Sequence, residues 1–442
     1  MKFTRVFAFM ALAGLAGSAY ATNGYFSHGY GMKAKGMAGA ATASHDDAFF
    51  GANNPAAAAF AGNRVDLGMD LFSPIREASR TGSAGAAPLP FPPLDGVSES
   101  DSNYFLVPEF GYNRMVNNDL ALGVTVYGNG GMNTDYPANV PGCAQNLLCG
   151  NGSLGVDLMQ LIIAPTVAYK VNANHSIGIS PLLGYQRFKA EGLQAFQSIS
   201  TDPANVTNNG YDDAFGYGVR VGYLGKITPT VTIGAAYASK MNFEEFSKYA
   251  GLFAEQGDFD IPENYNVGVA WQATPAVKLA LDYQRINYSG VNSVANPSTN
   301  FFACAGDVFI GGGDASTSGI PGCLGSAAGA GFGWSDIDVW KLGVEYKYSQ
   351  KLTLRAGWNH GDNPISARDV EFNILAPAVI TDHATLGMTY TLASGNELTM
   401  SYMHGFKNDV KGPSYFFDNT GAPVDKIEMY QNAIGIQYSW KM

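Results

Sequence analysis

Between residues 65 and 440, about fourteen segments carry apolar side chains at every second position, and the connections between them alternate strictly between short and long. The clearest segment sets Val277, Leu279, Leu281 and Tyr283 against Lys278, Ala280, Asp282 and Gln284. The same pattern recurs as Val219, Val221, Tyr223; Leu342, Val344, Tyr346; Leu386, Met388, Tyr390; and Ile434, Ile436, Tyr438, Trp440. The segments begin near residues 65, 103, 119, 156, 176, 216, 230, 265, 277, 336, 352, 383, 397 and 432. Tight connections fall at 116–118, 171–175, 226–229, 273–276, 349–351 and 393–396, and every connection between these is long. Side chains that face hydrocarbon at every second position, joined by tight turns at one rim and long loops at the other, are the layout of an outer-membrane β-barrel. A soluble sandwich gives no reason for that alternation. The fold expected is all-β: a 14-stranded antiparallel barrel.

Composition agrees. Only 14% of residues are charged and 54 are Gly, where soluble chains run near ~25% charged and ~7% Gly. The aromatic content of 12% gives far more burial capacity than a disordered chain carries. At the N-terminus, Lys2 and Arg5 precede the apolar run 6–16 and then Ala19-Tyr20-Ala21, the pattern of a cleaved secretory signal, so residues 1–21 are expected to be removed. Removing Lys2 and Arg5 from the 26 basic residues leaves 24 against 37 acidic ones, a formal charge of −13. That balance excludes a nucleic-acid partner, which needs a basic surface. After residue 21 no run of ~18 apolar residues offers a helical span.

Aromatic placement adds an independent indication. With both termini periplasmic, Tyr112, Tyr169, Tyr223, Trp271, Tyr346, Tyr390 and Tyr438 fall at the inner interface, and Tyr185, Tyr237, Tyr283, Trp358 and Tyr402 at the outer one, as two interfacial girdles require. Residues 22–62 are Gly- and Ala-rich without strand alternation, and contain Phe49, Phe50 and Phe60. We read them as a plug inside the barrel, leaving 63–442 as the wall with its loops. The third strand runs Leu120, Leu122, Val124, Val126 and then enters Gly128-Asn129-Gly130-Gly131, which permits a bulge or bend; an ordinary Gly-rich loop is the alternative.

These residues resemble the FadL/TodX family of outer-membrane transporters for long-chain fatty acids and hydrocarbons. The resemblance rests on Asn23-Gly24-Tyr25 with Gly29 to Gly39, on Asn54-Pro55-Ala56, on Ile261-Pro262-Glu263-Asn264, on Arg355-Ala356-Gly357-Trp358 and on Asn363-Pro364-Ile365. It covers the whole mature chain in layout. It implies a barrel blocked by an N-terminal hatch, with Asn54, Pro55 and Ala56 at the gating end of that hatch. It further implies passive entry of hydrophobic compounds and sideways exit at an inward kink in strand three, which Gly128, Gly130 and Gly131 would supply. The C-terminus departs from the usual terminal aromatic, since Lys441 and Met442 follow Trp440.

Several residues are candidates for chemistry. In the loop 241–264, Phe243, Phe246 and Phe253 share one face at helical spacing; on a loop with nothing to cover it, such a stripe is expected to collect apolar ligand. Arg220, Lys278, Lys341 and Arg355 lie on the inward alternation and suit a fatty-acid carboxylate, although Asp282 and Glu345 share that phase and wall ion pairs would use the same residues. Cys143 with Cys149 and Cys304 with Cys323 each fall within one long loop, and local disulfides are the simplest pairing outside the inner membrane. His383 and Ser401 share the lumen phase, but a hydrolase also needs an orienting group and oxyanion donors, so no enzyme is expected. His28, His45, Asp46 and Asp47 suit solvated or capping roles better than a metal.

The expectation is therefore an outer-membrane importer of hydrophobic small molecules that needs no cofactor or metal. Its expected partners are the apolar ligand, outer-membrane lipid and lipopolysaccharide, and the barrel assembly machinery. A porin for small polar solutes or a surface adhesin is the alternative.

Overall fold

The computed structural model describes residues 23–83, 95–138, 145–414 and 423–442; the expected leader lies outside them. Fourteen antiparallel strands form the wall: β1 (Arg64–Thr81), β2 (Phe105–Met115), β3 (Leu120–Tyr136), β4 (Leu154–Lys170), β5 (His175–Glu191), β6 (Asp212–Lys226), β7 (Val231–Ala238), β8 (Asn264–Gln272), β9 (Val277–Ile286), β10 (Ile337–Lys347), β11 (Leu352–Gly361), β12 (Asp382–Thr391), β13 (Glu397–Pro413) and β14 (Val424–Lys441). Each pairs with its neighbours in sequence, and β14 closes on β1 from Arg64↔Lys441 to Thr81↔Val424. The sheet thus closes end to end, and neither terminal strand leaves an edge in hydrocarbon. Two short strands, Gly96–Glu99 and Asn242–Phe243, pair with β1 and β6.

Strand onsets fall within a few residues of the expected ones, apart from β6 and β14, which start earlier. Their added residues include Asp212, Asp213, Asp425 and Glu428. Hydrogen-bonded ladders continue past the hydrocarbon layer, where charge replaces the apolar alternation. Outward-facing Tyr169, Trp271, Tyr346 and Tyr390 are exposed near one rim, and Tyr237, Trp358 and Tyr402 near the other.

The tight turns share a local device. Asn117 Oδ1 accepts the N–H groups of Asp119 and Leu120, and Asn172 Oδ1 those of Asn174 and His175. Thr228, Thr274 and Ser349 do the same with their hydroxyl oxygens. A short polar side chain that binds backbone two and three residues ahead sets the reversal. It places the sequence signal for these five hairpins in one residue each; at the sixth, 393–396, Ser394 accepts only the Asn396 N–H.

The segment 23–62 packs against inward-facing side chains of many strands. Lys35 Nζ lies 2.6 Å from Asp70 and 2.5 Å from Glu109, and Glu109 also accepts the Gly31 N–H. Breaking a buried pair strands a charge at a cost of about 3–5 kcal/mol, so these side chains act as one tether. Asp282 accepts the N–H groups of Ala41 and Thr42, Thr385 that of Ala38, and Gln437 that of Met32. Inward-facing glycines make room: a methyl group at Gly178, Gly222, Gly234, Gly357 or Gly435 would overlap Pro55, Asn54, Thr42, Met37 or Met32. Much of the high glycine content therefore smooths the inner wall where a second layer of backbone lies on it. At the opposite end the long loops bury one large apolar cluster. Tyr25 reaches it and packs its ring near Phe259, Tyr288 and Trp334.

Candidate transport pathway

Strand β3 departs from the barrel halfway along its length. From Leu120 to Val126 it pairs with both neighbours, but its last pair with β2 is Phe110↔Val126. Beyond it, β4 pairs with Gly128 and then Gly130, skipping Asn129 in a bulge. Residues 127–132 are all buried instead of alternating. The strand has turned inward, where Gly130 bridges Phe26 and Asn129 O accepts the Ser27 N–H. A side chain at Gly130 would overlap the Tyr25 carbonyl, so this close approach needs glycine.

The turn leaves residues 105–109 of β2 without partners on β3. Above them, pairing resumes only where the Asp101 N–H donates to Asp135 O at 2.8 Å. The result is a break in the ladder, framed below by Phe110 and Val126 and above by Asp101 and Asp135. Just inside it lies a small, mainly apolar cavity of about 20 Å³ among Tyr25, Phe72, Pro74, Met132, Trp334 and Met429, with Arg76 at its edge.

The inward cations divide into two groups. Arg355 lies 2.7 Å from Glu345 and also donates to Thr389, while Lys278 bridges Asp46 at 2.7 Å and Glu345 at 3.3 Å. These two are bound to the wall and the N-terminal segment, so the expectation of Arg355 as a free carboxylate receptor is corrected: its cross-strand neighbour Glu345 already occupies it. Arg220 and Lys341 are also buried, yet neither makes an ion pair or hydrogen bond among the described residues. Both line a second small cavity with Tyr30, Asn266 and Asp282.

Phe243, Phe246 and Phe253 do not form an exposed collecting face. Phe243 sits in the short strand beside β6, and all three are buried. Phe246 and Phe253 pack their rings against Phe188, and Phe253 also against Phe259. No single helix joins the three, since Phe243 lies in a strand, Phe246 precedes the short turn Ser247–Tyr249 and Phe253 follows it, and neighbouring loops cover all of them. The apolar side chains left open at that end include Phe302, Phe309 and Ile310, on and just after the helix Phe301–Phe309.

Asn54 caps the short helix Pro55–Phe60 by accepting the Ala56 N–H, and its amide donates to Thr42 O and Tyr223 O. Ala56 O in turn accepts from Ser176. The three residues thus join the N-terminal segment to β5 and β6. Cys304 and Cys323 form a disulfide. Cys149 is also disulfide-bonded, and Cys143, its expected partner, lies outside the described residues. Ser401 Oγ is 3.1 Å from Met32 Sδ and His383 Nε2 is 2.9 Å from Gln431, so the two do not meet as base and nucleophile. His28 stacks on His383, Asp46 holds Lys278, and Asp47 accepts the Phe49 N–H.

Sequence reasoning missed Arg76. It shares the inward phase of β1 with Phe72, Pro74 and Ala78, and that alternation was the signal that could have found it.

The chain matches the family described as "Outer membrane protein transport protein (OMPP1/FadL/TodX)" over residues 9–439. Among solved structures it resembles the P. putida toluene transporter TodX, at 19% identity over 94% of this chain and 99% of that one, with a TM-score of 0.64. A Pseudomonas aeruginosa FadL homologue aligns at 14% identity over the same shares with a TM-score of 0.67. The Ralstonia pickettii toluene transporter TbuX aligns at 17% identity, again over 94% and 99%, with a TM-score of 0.63. At these identities the likeness establishes the fold. No curated protein sequence matches the chain.

Proposed function

Because the chain belongs to the OMPP1/FadL/TodX family of outer-membrane transport proteins, we propose that it takes up amphiphilic acids of the long-chain fatty acid kind and releases them sideways through the break between β2 and β3. The observation that carries the reading is the coincidence of that break with an apolar cavity on its inner side. An apolar ligand gains nothing from a water-filled channel, whereas a gap in the wall returns it to hydrocarbon without crossing water. Residues 23–62 fill the lumen and serve as a hatch. Arg220 and Lys341 favour an acid over a neutral hydrocarbon, because the two buried cations share one nearby carboxylate, Asp282, and neither is ion-paired with it, so a second carboxylate would balance their charge.

Labelled oleate and labelled toluene, supplied to cells that lack their own transporter, test the ligand class. Oleate uptake should rise well above that of cells without the protein, and Arg220→Gln with Lys341→Gln should weaken oleate binding about tenfold or more. Uptake of toluene alone, with oleate binding unaffected by the two substitutions, would reassign the protein to hydrocarbons.

A further inference from the structure

Arg76 is a buried guanidinium at the upper edge of the wall break, and every hydrogen-bond acceptor it has is neutral. Nη1 donates to Asn133 O on the kinked part of β3. Nη2 donates to Ser102 O, to Ser100 Oγ at 3.1 Å and to Asn103 Oδ1 at 3.4 Å, all in the stretch that separates Gly96–Glu99 from β2. Its Nε is buried without a partner, and no carboxylate lies within ion-pairing distance among the described residues. One side chain of β1 therefore ties the displaced strand to the interrupted one, directly over the cavity that it lines with Met132 and Trp334.

We propose that Arg76 is a second anion station, at the exit, which exchanges its neutral acceptors for the ligand's carboxylate and thereby loosens the top of the break. The inference rests on the lateral route proposed above. A guanidinium binds a carboxylate through two parallel hydrogen bonds and gains a direct attraction between opposite charges that its present neutral acceptors do not supply. Releasing Asn133 and Ser102 removes two of the bonds that hold the frame closed. A neutral hydrocarbon offers no such exchange. The station therefore distinguishes acids at the exit as well as in the lumen, and it couples arrival of the headgroup to widening of a cavity that now has room for little more than one water.

Trp334 reports on this cavity. It is buried, whereas Trp271, Trp340, Trp358 and Trp440 are exposed on the outer face and can be replaced by Phe to leave one emitter. In liposomes, 9,10-dibromostearate should quench Trp334 at a concentration about tenfold or more below that needed for the corresponding dibromo alcohol. Arg76→Gln should erase this preference with the alcohol unaffected, and Arg76→Lys should keep most of it. Equal loss for acid and alcohol, or an unchanged preference in Arg76→Gln, would overturn the proposal. If Arg76→Gln does not fold, the lysine variant and the native residue still decide: no acid preference at Trp334 in either removes the station. Arg220→Gln with Lys341→Gln should leave the Trp334 preference in place. If that pair alone abolishes it, the exit station falls while the lumen site stands.

Discussion

Asp258 illustrates how one side chain ties the extracellular loops to pH. It is half-buried beside Asp260, which holds Lys240 at 2.7 Å and accepts the Phe243 N–H. Burial first, and the Asp260 carboxylate second, raise the Asp258 pKa to about 7, with Glu255 adding to the effect and Lys240 opposing it. A carboxyl group whose pKa in the fold exceeds its unfolded value of ~3.9 binds its proton more tightly when folded. Its contribution to stability is therefore complete below about pH 4, declines as pH rises to about 7, and is constant above that. Amide exchange in 241–263, corrected for intrinsic rates, should be slower near pH 5.5 than near pH 8, and Asp258→Asn should flatten the difference. Equal protection of the native loop at both pH values would contradict this assignment. Such effects are not legible in the sequence, since they depend on which loops cover a carboxyl group. The inward phase of Arg220, Lys341 and Arg355 was legible from alternation. Which of them found a counter-ion was not, because that depends on register between strands, as with Glu345↔Arg355.

At the scale of elements, loops and strands differed in legibility for a physical reason. A barrel strand meets lipid on one side and lumen on the other along its whole length, so its periodicity is written in the sequence. A loop is covered or open according to its neighbours, and the stripe Phe243, Phe246, Phe253 became core for that reason. The helix Phe301–Phe309 shows the converse. It is fastened by Cys304 to Cys323 and by the Phe301 ring stacked on Phe372, while Phe309 and Ile310 stay 63% and 89% exposed. An apolar tip held out on a fixed mount is suited to first capture of an apolar ligand. Phe309→Asp with Ile310→Asp should lower uptake at limiting oleate several-fold, and the deficit should shrink at saturating oleate. Unchanged uptake at limiting concentration would remove the tip from the route.

For the whole molecule, the closed barrel and its long-loop rim followed from the sequence, and the register shift in β3 falls within the glycine cluster at 128–131. What the sequence left open was how the N-terminal segment and β3 meet, because the bridge between Phe26 and Gly130 joins residues about a hundred positions apart. The bulge itself consists of one residue. Asn129 has no backbone ladder partner on β4, between the pairs Gly128↔Leu161 and Gly130↔Gln160, although its side-chain amide donates to Gln160. Deleting it would make the β3–β4 register continuous and favour extension of β3 along β2, closing the break while leaving Arg220, Lys341 and the outer loops in place. Oleate uptake by cells that display this folded variant, compared with the native protein, is the most direct test of sideways exit. Uptake should fall to the level of cells without the protein, although binding of oleate to the purified variant persists. Undiminished uptake through the sealed wall would mean that the ligand leaves by another path.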